Sequence, residues 1–180
     1  MNVFAETDRL ILRELLPSDK EGMFELDTDP EVHRYLGNHP VSQMEQIEEA
    51  IALIRQQYVD NGIGRWALVE KSTGNFMGWG GLKLMKELTS GHINYYDLGY
   101  RLIKKYWGKG FATEAARTSL DYGFEKLKPD KIYAMADVRN CASRHTLEKS
   151  GLHFIEQFDY KGEAHDWFEI TKEEWRKNQG

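Results

Sequence analysis

The segment Tyr106–Ala115, with the sequence YWGKGFATEA, decides the fold of this chain. Small residues stand at alternate positions, Gly108, Gly110 and Ala112, between an apolar strand-like run and a helix-like run that ends near Leu127. A small-residue turn at a helix N-terminus lets backbone N–H groups approach an anion closely, and the helix dipole favours the negative charge. The segment therefore predicts a site for the pyrophosphate of a nucleotide-bearing cofactor. The alternative is a tight strand-to-helix connection that binds no ligand.

The composition bounds the classes of protein to consider. The 180 residues are 41% hydrophobic and 29% charged, which is typical of one soluble globular domain, so we predict a single domain spanning residues 1–180. A net charge of -5 argues against nucleic acid as a partner. No apolar window reaches transmembrane length and no leader pattern opens the chain, so we expect no membrane partner and a cytoplasmic location.

The residues that usually bind metal or form disulfides are sparse. The six histidines lack ligand spacing, so we predict no metal. The single cysteine, Cys141, excludes an intrachain disulfide, and we interpret it as a buried or idle thiol because no base is paired with it in sequence. A basic cluster adjoins the glycine turn: Arg101, Lys104, Lys105 and Lys109. It either attracts phosphates or is a solvated strand end.

The periodicity of the chain predicts an α+β fold. Before the glycine turn we expect strands over 9–15, 65–71, 76–84 and 93–103, the middle two forming a hairpin. Helices are expected over 17–26 and 31–36, and a third from the Ser42–Glu45 capping box to Asn61-Gly62. After the turn we expect helices over 112–127 and 142–149, strands over 132–138, 152–160 and 165–170, and a C-terminal helix opened by a Thr171–Glu174 capping box. Antiparallel strands followed by this tail predict a mixed sheet with helices on its faces.

The familiar nucleotide-binding motifs fit the turn poorly. A dinucleotide-binding fold requires a third glycine, where this chain has Thr113, and places the motif after the first strand of the domain. A P-loop requires Lys-Ser or Lys-Thr after its last glycine, where this chain has Phe111-Ala112. Another cofactor with a pyrophosphate is therefore favoured.

A second motif lies downstream at Asp137–Leu152, DVRNCASRHTLEKSGL. Together with Trp107–Ala115 it resembles the GCN5-related N-acetyltransferase (GNAT) superfamily, and most closely the branch of ribosomal-protein N-terminal acetyltransferases. The acyl-CoA turn of that superfamily, Gln/Arg-x-x-Gly-x-Gly/Ala, appears here as Trp107-x-x-Gly110-x-Ala112, and the Trp suits this branch.

Further motifs extend the resemblance over nearly the whole chain. An Asn-x-x-Ser element (Asn140 and Ser143) and a Glu-Lys-x-Gly element (148–151) stand at the expected distance from the turn. The segments Thr7–Leu10 and Asp29–Val32 match the start of the family.

The resemblance implies a single GNAT-like domain of α+β (mixed α/β) class. Its central, mostly antiparallel sheet would be splayed at the fourth strand, with helices on both faces, and acetyl-CoA would lie in the gap. Leu102 would pair with the pantetheine, and Asn140 and Ser143 would complete the cofactor site. Asn140 would cap the helix that follows it, bond the pantetheine, or do both. The backbone of the turn would hold the pyrophosphate through seven successive residues: Trp107, Gly108, Lys109, Gly110, Phe111, Ala112 and Thr113.

The implied chemistry is direct attack of a neutral amine on the thioester. A lysine amine titrates at about 10.4 and an α-amine at about 7.7–8.0, so a base matters more for the former. Asp97 is the candidate base, directly or through water. The alternative is an exposed strand carboxylate without a role, turned away from the cleft by strand alternation. Ser143 is the candidate donor to the thiolate, because its helix lacks the tyrosine that many superfamily members use. Ser143 is alternatively a residue that stabilises the helix end.

The acceptor is the least constrained part of the site. We expect a primary amine, either a protein N-terminus or a small molecule, and the fold is compatible with a homodimer. The candidate pocket residues are also candidate core residues: His33, Tyr35, Trp66, Trp79, Tyr95, Tyr96 and Trp167. His33 is alternatively a residue on the surface of a helix. The rival functions are a catalytically idle acyl-CoA-binding or regulatory module and an NAD-dependent oxidoreductase.

Overall fold

A computed structural model describes residues 1–180 and contains one eight-stranded sheet in the order β1-β2-β3-β4-β5-β6-β8-β7. The strands are β1 (Val3–Glu6), β2 (Leu10–Glu14), β3 (Trp66–Glu70), β4 (Phe76–Met85), β5 (Tyr95–Leu102), β6 (Lys131–Asp137), β7 (His153–Tyr160) and β8 (Glu163–Thr171). The helices are α1 (Lys20–Thr28), α2 (Pro30–His33), α3 (Met44–Asn61), α4 (Phe111–Tyr122), α5 (Cys141–Lys149) and α6 (Lys172–Gln179). All neighbouring strands are antiparallel except β5 and β6, so the predicted mixed, mostly antiparallel α+β fold is confirmed.

The ends of the helices show how the local sequence sets these elements. The N-cap of α3 is Gln43, whose N–H donates to Gln46 Oε1, so the predicted Ser42–Glu45 capping box is wrong by one residue. Gly62 ends α3 with a positive φ of 71°, as a C-terminal glycine should. The Thr171–Glu174 capping box that opens α6 is confirmed.

The helix after the glycine turn and the first strand differ from expectation. The helix predicted over 112–127 is α4 followed by a π-helical turn at Gly123–Leu127. The strand β1 was missed because its residues, VFAE, are too few to show alternation.

The sheet opens between β5 and β6. The strands β4 and β5 pair in continuous register from Met85–Tyr95 to Gly78–Leu102. In contrast, β5 and β6 share the single pair Asp97–Tyr133. The remainder of β5 therefore exposes its backbone to a gap. This is the predicted splay at the fourth strand, which becomes the fifth because β1 precedes it.

The two faces of β5 contact different helices. Side chains alternate along a strand, so Leu98 and Leu102 share one face and Asp97 and Arg101 the other. On the first face α4 packs against β4 and β5, and Leu82 lies against Gly123. On the second face the end of α1 lies over β5. We call these the α4 face and the α1 face.

Candidate active site

The glycine turn forms a concave row of free backbone donors. Gly108 and Gly110 both adopt left-handed φ values, 72° and 83°, and Gly110 is the N-cap of α4 without a side-chain cap. None of the backbone N–H groups from Gly108 to Thr113 donates to an acceptor within the chain. Successive N–H groups in such a turn at a helix N-terminus make an anion-binding concavity. The segment fits a pyrophosphate.

The N-terminal motif braces this turn from behind. The Arg9 guanidinium donates to the carbonyl oxygen of Lys109 at 2.9 Å and lies over the Phe111 ring, 4.2 Å from its centroid. Glu114, in the first turn of α4, accepts from Arg9 at 2.7 Å and from the Thr7 hydroxyl. These contacts explain why the Thr7–Leu10 motif accompanies the turn although it lies about a hundred residues earlier.

The basic cluster beside the turn is largely neutralised by carboxylates. Three of its members form ion pairs with the first two helices: Arg101 with Asp27, Lys104 with Glu31, and Lys105 with Glu25. Their interpretation as free phosphate-attracting charges is therefore wrong, and they attach β5 and the loop after it to α1 and α2.

Trp107 and Leu102 contact each other across the start of the turn. The indole N–H of Trp107 donates to the carbonyl oxygen of Leu102 at 2.9 Å, and Trp107 is 44% exposed. The carbonyl predicted to pair with the pantetheine is thus engaged by a side chain of the same chain. Pairing of a ligand with this carbonyl would require the Trp107 indole to move.

The second motif places Asn140 and Ser143 at the N-terminus of α5. Asn140 is the N-cap, and its Oδ1 accepts from the backbone N–H of Ser143 at 3.1 Å. The predicted capping by Asn140 is confirmed. The neighbouring Cys141 is exposed, so of the two alternatives, a buried or an idle thiol, the buried one is wrong and the idle one stays a prediction.

Tyr100 crosses the gap from β5 to α5 and was not predicted. Its hydroxyl donates to the carbonyl oxygen of Ser143 at 2.9 Å and lies 3.2 Å from Ser143 Oγ. Burial raises the pKa of Tyr100 to about 12, against the lowering effect of Ser143 and Thr146. The helix α5 has no tyrosine of its own, and the phenol beside Ser143 comes instead from the facing strand β5.

Asp97 lies on the α1 face, opposite Ser143, in a buried ion pair. It is 5% exposed and its Oδ2 accepts from Arg65 at 2.5 Å. Its Oδ1 is buried and has no partner. Burial raises the pKa of Asp97 above its ordinary range, while the charge and hydrogen bond of Arg65 oppose the rise. The expectation of an exposed strand carboxylate is therefore wrong.

A row of glycines lets Arg65 reach β5. Along the sheet, Gly81 stands opposite Gly99, and the Arg65 guanidinium donates to the carbonyl oxygens of Gly81 and Asp97, each at 2.6 Å. A Cβ on Gly99 would stand 2.7 Å from Arg65 Nη2, so any side chain there would displace the guanidinium. The ion pair thus lies directly over the backbone of β5 at the opening of the sheet.

A second ion pair extends along the same face. Arg101 donates to Asp27 at 2.7 Å, and the same Asp27 oxygen lies 3.1 Å from His33 Nε2. The Trp79 ring lies between the two arginines, 5.3 Å from Arg65 Cζ and 4.9 Å from Arg101 Cζ. His33 is 7% exposed, so it is a buried hydrogen-bonded residue of this face and not a surface one.

The aromatic candidates divide between the core and this face. Trp66 packs into the core, stacked on Phe4 with centroids 4.9 Å apart, so it lies outside the site. Tyr95, Tyr133 and Trp167 form a cluster beside Asp97, with centroids of Tyr95 and Trp167 5.3 Å apart. The Tyr95 hydroxyl and the Trp167 indole N–H are buried without a hydrogen-bond partner.

Other features of the molecule lie away from the glycine turn. A surface groove of about 540 Å³ between Pro17 and α3 includes none of the predicted site residues. No group of three or more His, Cys, Asp and Glu side chains is arranged to hold a metal ion. None of the helices combines the length and the apolar character that a membrane span requires.

A sheet parted beside one strand, with free amides of a helix N-terminus close to the gap, agrees with the architecture that the resemblance to acyl-CoA-dependent acetyltransferases implied. The sequence profile of the acetyltransferase (GNAT) domain matches residues 9–153. The chain belongs to the GNAT acetyltransferase family.

The similar proteins include bacterial and fungal N-acetyltransferases. The chain is 34% identical to the uncharacterised N-acetyltransferase YoaA of Bacillus subtilis over 81% of its own length and 80% of that protein. It is 30% identical to the FsC-acetyl coenzyme A-N(2)-transacetylase of Aspergillus fumigatus over 96% of its length and 78% of that protein. It is 28% identical to YdaF of Bacillus subtilis, to which a ribosomal N-acetyltransferase role is provisionally assigned, over 93% and 94% of the two chains.

Solved structures share the fold. A GNAT-family acetyltransferase of Bacillus anthracis superposes with a TM-score of 0.78 at 23% identity, covering 96% of this chain and 99% of that one. The spermidine N-acetyltransferase of Vibrio cholerae, in complex with CoA and spermine, superposes with a TM-score of 0.74 at 21% identity over 94% and 99% of the two chains.

Proposed function

We propose that this acetyltransferase transfers the acetyl group of acetyl-CoA to a primary amine, of a protein N-terminus or of a small molecule, by direct attack on the thioester. The observation that carries the proposal is the row of partnerless N–H groups from Gly108 to Thr113 beside the unpaired edge of β5. The acceptor class is the part of the proposal that family membership leaves open, because one fold serves many acceptors.

The cofactor would be held by main-chain groups on the α4 face. The amides from Gly108 to Thr113 would bind the pyrophosphate, with the Lys109 side chain, which makes no ion pair, adding positive charge. The backbone N–H of Trp107 already donates to the carbonyl oxygen of Lys104 at 3.0 Å, so the row of free amides begins one residue after it. Leu102 would pair with the pantetheine once the Trp107 indole has left its carbonyl oxygen. Arg9 and Glu114 would keep the turn in its left-handed conformation.

Ser143 and Tyr100 would stabilise the departing sulfur. A thiol titrates at about 8.5 and Tyr100 at about 12, so complete proton transfer from the phenol to the thiolate is uphill by roughly 5 kcal/mol. The single O–H of Tyr100 is also directed at the carbonyl oxygen of Ser143. The Ser143 hydroxyl can then donate to the Tyr100 oxygen at 3.2 Å or, by rotating about its C–O bond, to the sulfur, with Tyr100 positioning it.

Asp97 would act on the attacking amine from the other face of β5. Its partnerless Oδ1 can accept an N–H of the amine, and a carboxylate whose pKa is raised by burial is a better base than an exposed one. As the new C–N bond forms and the C–S bond breaks, the nitrogen loses one proton and the sulfur gains one. Holding the amine and thioester in line accounts for much of the expected rate.

The proposal also includes the branch of the family and the cellular location. The 28% identity to YdaF supports placement near the ribosomal-protein N-terminal acetyltransferases. We retain the predictions of a cytoplasmic location, of no metal requirement and of compatibility with a homodimer as parts of this proposal.

Two assays test the proposed function. A ligand that binds only the native state raises the melting temperature, so acetyl-CoA and CoA should raise it and NAD and ATP should not. Release of free thiol from acetyl-CoA should then depend on added amine. A shift with CoA but no thiol release with any amine would favour the idle-module alternative, and a shift with NAD alone would favour the oxidoreductase.

A further inference from the structure

Lys83 stands out among the cations of the α1 face because it has no counter-ion. The three arginines around the opening are each paired with a carboxylate: Arg65 with Asp97, Arg101 with Asp27, and Arg139 with Asp137. Lys83 lies on β4 directly opposite Asp97, is half-buried, and makes neither an ion pair nor a hydrogen bond. Burial first, and then the nearby Arg65 charge, lower the pKa of its amine. The charges of Asp97 and Glu87 oppose this lowering of the pKa, but neither carboxylate lies within ion-pair distance of the Lys83 ammonium.

Asp97, in turn, has a carboxylate oxygen without a hydrogen-bond donor. Its Oδ2 is occupied by Arg65, whereas Oδ1 is buried and receives no hydrogen bond. A buried carboxylate oxygen without a donor is costly, so it is expected to be satisfied when the site is filled. One acceptor atom and one cation are therefore left without partners on neighbouring residues of the same face.

The spacing of these two groups suits a zwitterion. Directly opposed residues on antiparallel strands have Cβ atoms about 4.5–5.5 Å apart, so the two head groups can reach the two ends of a small molecule. An α-amino acid carries an amine and a carboxylate on one carbon. Its amine would donate to Asp97 Oδ1 beside the opening, and its carboxylate would bind Lys83.

We propose that the acetyl acceptor is a small amine with a carboxylate on the adjacent carbon, as in an α-amino acid, and that Lys83 is the residue that recognises this carboxylate. The inference rests on the proposed function, because it specifies the acceptor of the same site. Lys83 touches the part of the acceptor that does not react, so it determines specificity and takes no part in bond formation.

The charges on this face argue against polycationic acceptors. A polyamine or an aminoglycoside would bring several ammonium groups beside Lys83 and Arg65, while the carboxylates of this face are already paired with arginines. A protein N-terminus has an amide where an amino acid has a carboxylate, so it would leave Lys83 without an anion. The aromatic cluster of Tyr95, Tyr133 and Trp167 beside Asp97 is compatible with an apolar side chain on the acceptor.

The test compares matched acceptors in the wild-type protein and in Lys83→Gln. Each pair differs by the carboxylate: phenylalanine against phenethylamine, methionine against 3-(methylthio)propylamine, and alanine against ethylamine. The rate of thiol release gives kcat/KM for each compound. The ratio of kcat/KM in the variant to kcat/KM in the wild type does not depend on the amine pKa of the compound, because that pKa affects both proteins equally. Spermidine and a tripeptide with a free N-terminus complete the panel.

We expect Lys83→Gln to lower kcat/KM for the amino acids by about tenfold or more, through KM, which corresponds to one lost charge-assisted contact. The values for the matched amines should change less than about twofold. Lys83→Arg should restore part of the preference, and Lys86→Gln, an exposed lysine just beyond β4, should leave every value unchanged. The shift of melting temperature with CoA should be the same in all variants.

Three results would overturn the inference without touching the proposed function. They are a wild-type preference for spermidine or the tripeptide over the amino acids, equal use of both members of each pair, and equal losses for both members in Lys83→Gln. A wild-type protein that binds CoA but releases no thiol with any compound would instead refute the proposed function, and the inference with it.

Discussion

The two faces of β5 at the opening of the sheet are built in opposite ways. On the α4 face the site consists of backbone amides from one continuous turn, with Ser143 and Tyr100 at its inner end. On the α1 face it consists of side chains from separate elements. Arg65 and Asp97 are held by an ion pair and by glycines that leave them space, and Lys83 lies opposite Asp97 without an ion pair.

This difference suggests that cofactor binding is common to a family, whereas acceptor specificity is particular to one protein. Backbone amides bind a pyrophosphate regardless of most side chains, so the cofactor half tolerates sequence change outside its glycines. Buried charged side chains are costly unless paired, so the opposite half is specific to the molecule that completes its pairing. We therefore expect mutations on the α4 face to affect the cofactor or sulfur and those on the α1 face to affect the acceptor.

The largest expected effect is at the glycine turn. Gly110→Asp places a carboxylate beside the proposed pyrophosphate and should weaken acetyl-CoA binding by about 100-fold or more, the size expected for like-charge contact at close range. Gly74→Asp is the matched control, because Gly74 also has a positive φ, 75°, and nothing lies within 4 Å of a Cβ there. Calorimetric titration with acetyl-CoA gives both affinities. Equal affinities in the two variants would remove the turn from the cofactor site.

The next effect tests the α1 face alone. Asp97→Asn should lower kcat by about 100-fold, within the usual range for loss of a general base, with the acetyl-CoA affinity unchanged within about twofold. Asp19→Asn is the control, because Asp19 is also buried and paired with an arginine, Arg13, which lies on β2, three strands from β5. The comparison of the two faces would fail if Asp97→Asn weakened cofactor binding as much as it slowed turnover.

Ser143→Ala should have a smaller effect that is confined to turnover. Loss of one hydrogen bond to the sulfur should lower kcat by about tenfold, with less than about a twofold change in the affinity for CoA. Ser150→Ala, which removes a hydroxyl bonded to the Thr146 carbonyl oxygen near the other end of α5, should leave kcat unchanged. Equal losses in kcat and CoA affinity for Ser143→Ala would make Ser143 a structural residue.

The smallest effect concerns stability at alkaline pH. The pKa of Tyr100 is raised to about 12 in the folded protein, so the phenol stabilises the fold fully below pH 10 and this stabilisation is lost as the pH rises towards 12. At pH 11 the loss from Tyr100 is at most about 1.4 kcal/mol. Urea unfolding at pH 8 and pH 11 should therefore show a smaller decrease for Tyr100→Phe than for the wild type.

Tyr58 and Tyr95 share a pKa of about 12, so the variant should reduce the alkaline decrease without abolishing it. An identical decrease in both proteins would mean that Tyr100 is not buried at the gap. It would also remove the positioning role proposed for it on Ser143.

The local motifs predicted the elements more reliably than their environments. Gly62, Asn140 and the Thr171–Glu174 box were each identified correctly because a cap depends on residues within one turn of a helix. The capping box of α3 was displaced by one residue because Gln43 and Gln46 perform the same task as the Ser and Glu that were expected. Neighbouring polar residues can each serve as a cap, so the sequence located the start of α3 only to within one residue.

The sequence alone determined the mixed sheet and the glycine turn, because each depends on periodicity or on backbone freedom along a short continuous segment. The opening beside one strand was implied by the family resemblance of the motifs. Only the tertiary structure decided the environment of Asp97, the reach of Tyr100 to Ser143 and the isolation of Lys83, because these depend on which side chains meet across strands that are distant in sequence. The role of a charged residue depends on whether it is paired, and its partner in the folded protein is often distant in sequence.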